Sequence, residues 1–313
     1  MTFNIQGAPV IDALKTAGEA TDERGGSRLL LGAHMSIAGG MPKAVERARD
    51  VGATALQIFV KNATQWRGRE LTPEEVAEFR SRLRESAIRA QVAHSSYLIN
   101  LASADPEIRR KSRAALVDEW SRCAVLGLDW LILHPGSHGG DGEQTGLQRV
   151  AEGILAAADE TGGRLVPLAL EITSGQGHSL GYSLNQLRDL VAALDGRLSV
   201  GVCLDSCHLY AAGYDLGSDE GRDALAAEFA EKIGWERLAV WHVNDSKRSC
   251  GSRVDRHEHI GRGQIGVEAF RWIMRKPEWW GVPKIIETPK GDDGTADRDN
   301  LALLRELALE EGK

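Results

Sequence analysis

Residues 201–215 read GVCLDSCHLYAAGYD. The stretch opens as a short apolar run with the pattern of a buried strand, and where the run stops stand Asp205 and His208, a hard oxygen donor and an imidazole. An Asp after a strand is also a common helix N-cap, and the pair alone does not decide between the two uses. Repetition does, because buried-looking strands ending in His, Asp or Glu recur along the chain.

Upstream, strands are predicted at Leu29–Ser36, Ala55–Val60, Gln91–Tyr97, Trp130–Pro135 and Leu165–Thr173, and downstream at Leu238–Val243 and Lys284–Glu287. Amphipathic segments alternate with them. They begin near Pro42, at the start signal Thr72, Pro73, Glu74, at Pro106 (ending before Gly127), and at Leu147, Leu184, Gly221, Val267 and Ala296. Eight strand–helix pairs predict an α/β fold, a single (β/α)8 TIM barrel over residues 28–313, with its site at the C-terminal face of the strands. The alternative, a doubly wound open sheet, lacks a Gly-rich phosphate turn after the first strand. Residues 1–27 carry neither a basic start nor an apolar core and are expected to form a flexible tail.

At 42% hydrophobic and 27% charged residues the composition is that of an ordinary globular protein, and no run approaches the roughly 20 apolar residues that cross a bilayer. The four Cys, with no export signal, are expected to be reduced thiols in a cytoplasmic protein. Cys203 and Cys207 could be a thiolate pair, but within a strand-to-turn stretch they read better as small buried residues. A net charge of -7 argues against a generally basic nucleic-acid-coating protein and leaves a local anion site open.

All nine His lie at the end of a predicted strand or in the loop after it, and none is expected on a helix. Such clustering at the catalytic face of a barrel is a site signal, although any one His could be a hydrogen-bonded strand-end residue. His94, His134, Glu171, Asp205, His208, His242 and Glu287 end successive strands, and the loop after the seventh adds Asp255 and His257. Nine such groups exceed what one ion takes. At about three to four ligands each they fit two or three metals. Imidazole with carboxylate and no thiolate suits zinc, with manganese or iron possible in part. Such a cluster can draw a nucleophile from water and clamp the oxygens of a phosphoryl transfer. Lys61, Arg67 and Arg69 after the second strand, with Lys247, Arg248, Arg253, Arg256 and Arg262 after the seventh, look like a phosphate-backbone footprint. Gln65, Trp66, Tyr97 and Leu98 could read or wedge bases, and Trp66 could equally be core.

The stretches AHSSYLINL, LHPGSH, GVCLDSCHLYAAGYD, HVNDSK and GSRVDRHEHIGRGQIG, followed by IIET, resemble the endonuclease IV family of apurinic/apyrimidinic DNA repair endonucleases. The resemblance runs from about Leu30 to the last helix. It implies a trinuclear-zinc barrel that hydrolyses the phosphodiester 5′ to an abasic (AP) site in duplex DNA, leaving a 3′-hydroxyl and a 5′-deoxyribose phosphate in base excision repair. Carried over by motif, His94 and His134 hold one zinc with Glu171, the catalytic carboxylate, bridging to a second, which Asp205, His242 and Glu287 complete. His208, Asp255 and His257 hold the third. Tyr97 and Leu98 match the loop that enters the minor groove, with Gln65 beside it. The implied partner is double-stranded DNA with abasic sites, with no membrane and no obligate protein partner. Two positions depart from the family pattern: Ile172 stands where Asn is usual after the bridging Glu, and Thr64 where an Arg is commonly inserted into the DNA stack. Sugar isomerases and epimerases use related barrels with one or two metals, and would need neither the third ligand group nor the basic loops. A DNA-binding protein without catalysis is disfavoured, because no ligand is missing.

Overall fold

The computed structural model describes residues 29–291 and 293–309, so the expected tail at 1–27 lies outside the described residues. In chain order the strands are β1 (Leu31–His34), β2 (Ala55–Phe59), β3 (Ala90–His94), β4 (Trp130–Leu133), β5 (Leu168–Glu171), β6 (Val200–Asp205), β7 (Leu238–His242), β8 (Asp245–Ser246), β9 (His257–Glu258) and β10 (Lys284–Ile286). Eight of them are parallel and close into a barrel, with β10 seated between β7 and β1. β8 and β9 form a separate antiparallel ribbon. Helices α1 (Met41–Asp50), α2 (Pro73–Glu85), α3 (Pro106–Leu126), α4 (Glu143–Glu160), α5 (Leu184–Leu194), α6 (Ser206–Ala212), α7 (Asp219–Lys232), α8 (Val267–Arg275) and α9 (Thr295–Leu309) complete the units. Among the described residues no helix is long and apolar enough to cross a membrane.

Helix ends follow local chemistry. The Thr72 hydroxyl accepts from the Glu75 N–H, Asp105 accepts from the Glu107 N–H, and each is followed by Pro at the first helical position. At the end of α3, Gly127 adopts φ 74°, a left-handed cap that a side chain would resist. Close approach decides Gly32, where a Cβ would collide with the Ala55 carbonyl of β2.

The barrel interior is an apolar cluster containing Ala55, Val92, Ile132, Ala169, Cys203, Val240 and Ile285, one from each of seven strands. Side chains alternate across a strand, so two residues further on the same face comes the next inward layer. That layer reads Gln57, His94, His134, Glu171, Asp205, His242 and Glu287. A polar layer therefore caps an apolar one. Its register between β6 and β7 depends on a shift at Val202/Cys203, after which Asp205 pairs with His242 rather than with Trp241.

One expectation is corrected: Ser206–Ala212 is helix, so His208 stands on α6 and not in a strand-end loop. The N-cap use considered for Asp205 is observed, since its Oδ1 accepts from the His208 N–H at 2.8 Å at the start of α6.

Candidate metal centre

Glu171 is fully buried, and its two oxygens face different neighbours. Oε2 lies 2.9 Å from His94 Nε2 and 2.9 Å from His134 Nε2, whereas Oε1 lies 2.8 Å from His242 Nδ1. One carboxylate thus joins two donor groups. The second group is completed by Glu287 Oε2 at 3.4 Å and Asp205 Oδ2 at 3.9 Å from the same His242 nitrogen. In a third, Asp255 reaches His208 Nε2 at 3.1 Å and His257 Nε2 at 3.2 Å, and Asp205 Oδ2 stands 3.7 Å from His257 Nε2. Within each of the sets His94–His134–Glu171, Glu171–Asp205–His242–Glu287 and His208–Asp255–His257, one donor atom per residue lies within 4.8 Å of every other.

The outer nitrogens say which inner ones are free to bind. Nδ1 of His94 donates to Ser95 O (2.7 Å), Nδ1 of His208 to Ile172 O (2.9 Å), and Nδ1 of His257 to Glu287 O (3.1 Å). His242 Nε2 donates to Gln57 Oε1 at 2.8 Å. A carbonyl oxygen only accepts, so each ring keeps a proton on its outer nitrogen, and the inner nitrogen, facing the carboxylates, is the one that can exchange its proton for a cation. His134 Nε2 and His257 Nε2 are buried and make no well-aligned hydrogen bond, although Glu171 Oε2 lies 2.9 Å from the first and Asp255 Oδ1 3.2 Å from the second. Such buried nitrogens beside carboxylates fit cation binding, and the donor set matches zinc chemistry.

Electrostatics agree. Burial pushes the Glu171 carboxyl up, but His242 and His134 outweigh it and hold the group well below the usual carboxylate range. Asp255 is likewise held low against burial by His208 and His257. His257 goes the other way: burial lowers it, yet Asp205 and Asp255 raise it to about 9. Imidazole protons are the counter-charge here, and divalent cations on the same atoms can replace them.

The sequence reading passed over Gln57 and Asn244. Gln57 Nε2 donates to Glu287 Oε1 (2.6 Å) and to His34 Nδ1 (2.9 Å). Asn244 Nδ2 donates to Asp205 Oδ2 (2.7 Å), while its Oδ1 accepts from the Glu287 N–H (2.7 Å). A signal was available for each: Gln57 is a polar residue inside the otherwise apolar β2, and Asn244 follows the end of β7. The Ile172 side chain lies in the apolar core, and its backbone carbonyl accepts from His208 Nδ1. Cys203 and Cys207 belong to different donor sets, and burial pushes both thiols up to about 12, as suits small protonated core residues.

Around the mouth, Tyr97 is 67% exposed beside His94, Leu98 is half-buried, and Gln65, Lys247, Arg253 and Arg256 are exposed. The Arg253 guanidinium lies over the Tyr182 ring, and Arg256 donates to the Asp255 carbonyl. Lys61 is a correction: it is buried, with Nζ 2.9 Å from Glu119 Oε1 and 2.8 Å from Gln65 O, so its charge is neutralised inside the protein and does not face a phosphate. Trp66 packs against the core, and Arg69 pairs with Glu75. A groove of about 1820 Å³ reaches the centre at His34, Glu287 and His257, and a cleft of about 270 Å³ reaches it at His94, His134, His208 and Asp255. Tyr97 lines both.

The family model for the xylose isomerase-like TIM barrel matches residues 45–307. A probable endonuclease 4 of Chloroflexus aurantiacus is 47% identical over 276 residues, covering 88% of this chain and 97% of that protein. The crystal structure of endonuclease IV from Thermus thermophilus superposes with a TM-score of 0.78 at 39% identity, covering 88% of this chain and 99% of that one. A D-tagatose 3-epimerase-like protein superposes at 0.66 over 90% of this chain and 98% of its own, but at 18% identity, a likeness of fold alone. With the barrel, the three donor sets around Glu171 and identity at this level over most of its length, this chain belongs to the endonuclease IV family.

Proposed function

We propose that this protein hydrolyses the phosphodiester 5′ to abasic sites in duplex DNA, leaving a 3′-hydroxyl and a 5′-deoxyribose phosphate, as a zinc-dependent enzyme of base excision repair in the cytoplasm. The observation that carries the reading is the sharing of Glu171 between two donor sets, with the His208–Asp255–His257 set alongside and both clefts open to them.

His94, His134 and Glu171 would hold one zinc, Glu171, Asp205, His242 and Glu287 a second, and His208, Asp255 and His257 a third, with manganese or iron possible in part. When bound, such ions supply a nucleophile from water near neutral pH and offset charge on the leaving oxygen. The chain does the rest. Gln57 and Asn244 hold His242, Asp205 and Glu287 in place. Tyr97 and Leu98 enter the minor groove with Gln65 beside them, and exposed Lys247, Arg253 and Arg256 meet backbone phosphates.

The decisive experiment is incision of a duplex carrying one abasic-site analogue beside an intact duplex. Cleavage of the first alone, on its 5′ side, is expected; equal cleavage of both, or none with metal present, rejects the reading. Sugar isomerisation rests on likeness of fold and leaves the third donor set without a use.

A further inference from the structure

The buried ion pair Lys61–Glu119 lies outside the metal centre, its side chains 2% and 1% exposed. Replacing such a pair by well-packed apolar residues is commonly neutral or stabilising, so burial of these charges needs a reason beyond stability. The remaining bonds of each partner supply one. Lys61 Nζ also donates to Gln65 O at 2.8 Å, in the loop after β2. Glu119, on α3, uses its other oxygen to accept from the Ser96 N–H at 3.0 Å, in the loop after β3. Ser96 closes the circuit, its hydroxyl donating to Ala63 O at 2.6 Å and accepting from the Leu98 N–H at 3.3 Å. Space is shaped to match: a Cβ on Gly68 would come within 2.9 Å of Lys61 Cβ. Arg122 of α3 fastens the same loop by donating to Arg69 O at 2.8 Å.

We propose that Lys61 and Glu119 are a positioning pair that locks the loop bearing Thr64 and Gln65 to the loop bearing Tyr97 and Leu98, so that both meet the substrate as one rigid edge. Loops held in their bound arrangement do not lose that freedom on binding, so locking acts on affinity rather than on the reacting bond. The proposal rests on the reading of these loops as the lesion-contacting edge.

The test is the double variant Lys61→Met/Glu119→Leu, which keeps apolar volume and removes the bonds to both loops. It is expected to melt no lower than the parent and to keep its metal content. KM for an abasic duplex should rise about tenfold with kcat within about twofold, and amides of residues 62–66 and 96–99 should exchange hydrogen faster. Ser96→Ala breaks the loop-to-loop link without touching the charges, and should shift KM and exchange in the same direction even if the double variant folds poorly. Unchanged KM and unchanged exchange in a folded variant would show the pair to be packing only. If the parent protein fails to incise abasic duplexes, the functional reading falls, while the exchange measurement still decides whether the pair couples the loops.

Discussion

The Gln57 side-chain oxygen lies 2.8 Å from His242 Nε2, and the nitrogen of the same amide lies 2.6 Å from Glu287 Oε1. One buried amide therefore orients both a candidate ligand imidazole and a candidate ligand carboxylate. Gln57→Leu is expected to keep the barrel and to weaken metal binding by about 10- to 100-fold, the usual effect of losing such outer partners. Competition against a chromophoric chelator measures it. Unchanged affinity would mean that packing alone orients His242.

Three donor sets predict close to three zinc-like metals per chain by elemental analysis. Chelation should lower the melting temperature without unfolding the barrel, whose apolar interior does not depend on the ions. Asp255→Ala should remove one metal preferentially, because Asp255 stands only in the set with His208 and His257. Loss of all metals together would show that the sets are not separable.

Glu171→Gln keeps volume but removes the charge at the junction of two sets. The fold should stand, with incision reduced by orders of magnitude, since a bridging carboxylate holds two ions about 4 Å apart for in-line displacement. Near-normal turnover at full metal content would remove Glu171 from this role.

Lys284 is fully buried at the start of β10, donating to Trp279 O (2.6 Å) and Val282 O (3.2 Å), and burial pushes its amine down to about 7. Below pH 7 the amine is protonated in both folded and unfolded chains, and the cost of burying charge is met in full. Between pH 7 and about 10.4 the folded chain has lost this proton while the unfolded chain keeps it, so this contribution to stability rises with pH. The whole span amounts to roughly 5 kcal/mol, at about 1.4 kcal/mol per tenfold. Lys284→Met should accordingly gain most at pH 6, less about 1–3 kcal/mol for two unpaired carbonyls. The gain should shrink toward pH 10. Denaturant melts of both proteins at the two pH values read the difference directly, and a pH-independent offset would contradict it.

Thr64 is exposed, and its hydroxyl donates to Asn62 Oδ1 at 2.8 Å within its own loop. Too short to span a base stack and uncharged, it should leave the lesion bound more weakly than an Arg would. Thr64→Arg is expected to raise affinity for an abasic duplex by about 1 kcal/mol, with single-turnover cleavage at saturating enzyme little changed. Fluorescence anisotropy and quench-flow separate the two effects; unchanged or weaker binding in a folded variant would mean another residue already fills the gap.

What the chain encodes locally was legible without a structure. Helix α3 spans Pro106–Leu126 as predicted because Asp105, Pro106 and Gly127 act on their own neighbours. The candidate ligands stood out as His, Asp and Glu at the ends of predicted strands, and strand alternation accounts for it by placing each two positions after an inward apolar residue, from Val92 and His94 to Ile285 and Glu287. Tertiary structure alone decided the rest. Lys61 looked like a surface cation until Glu119 of a distant helix neutralised it. Gln57 drew no notice within the second predicted strand, and its role appeared only when the barrel brought His242 and Glu287 to its amide. His208 is held by the backbone carbonyl of Ile172, a contact that no side-chain pattern reveals. A side chain's neighbours along the chain fix its strand face or helix cap, whereas burial, charge pairing and tautomer depend on atoms that only the closed barrel brings within hydrogen-bonding distance.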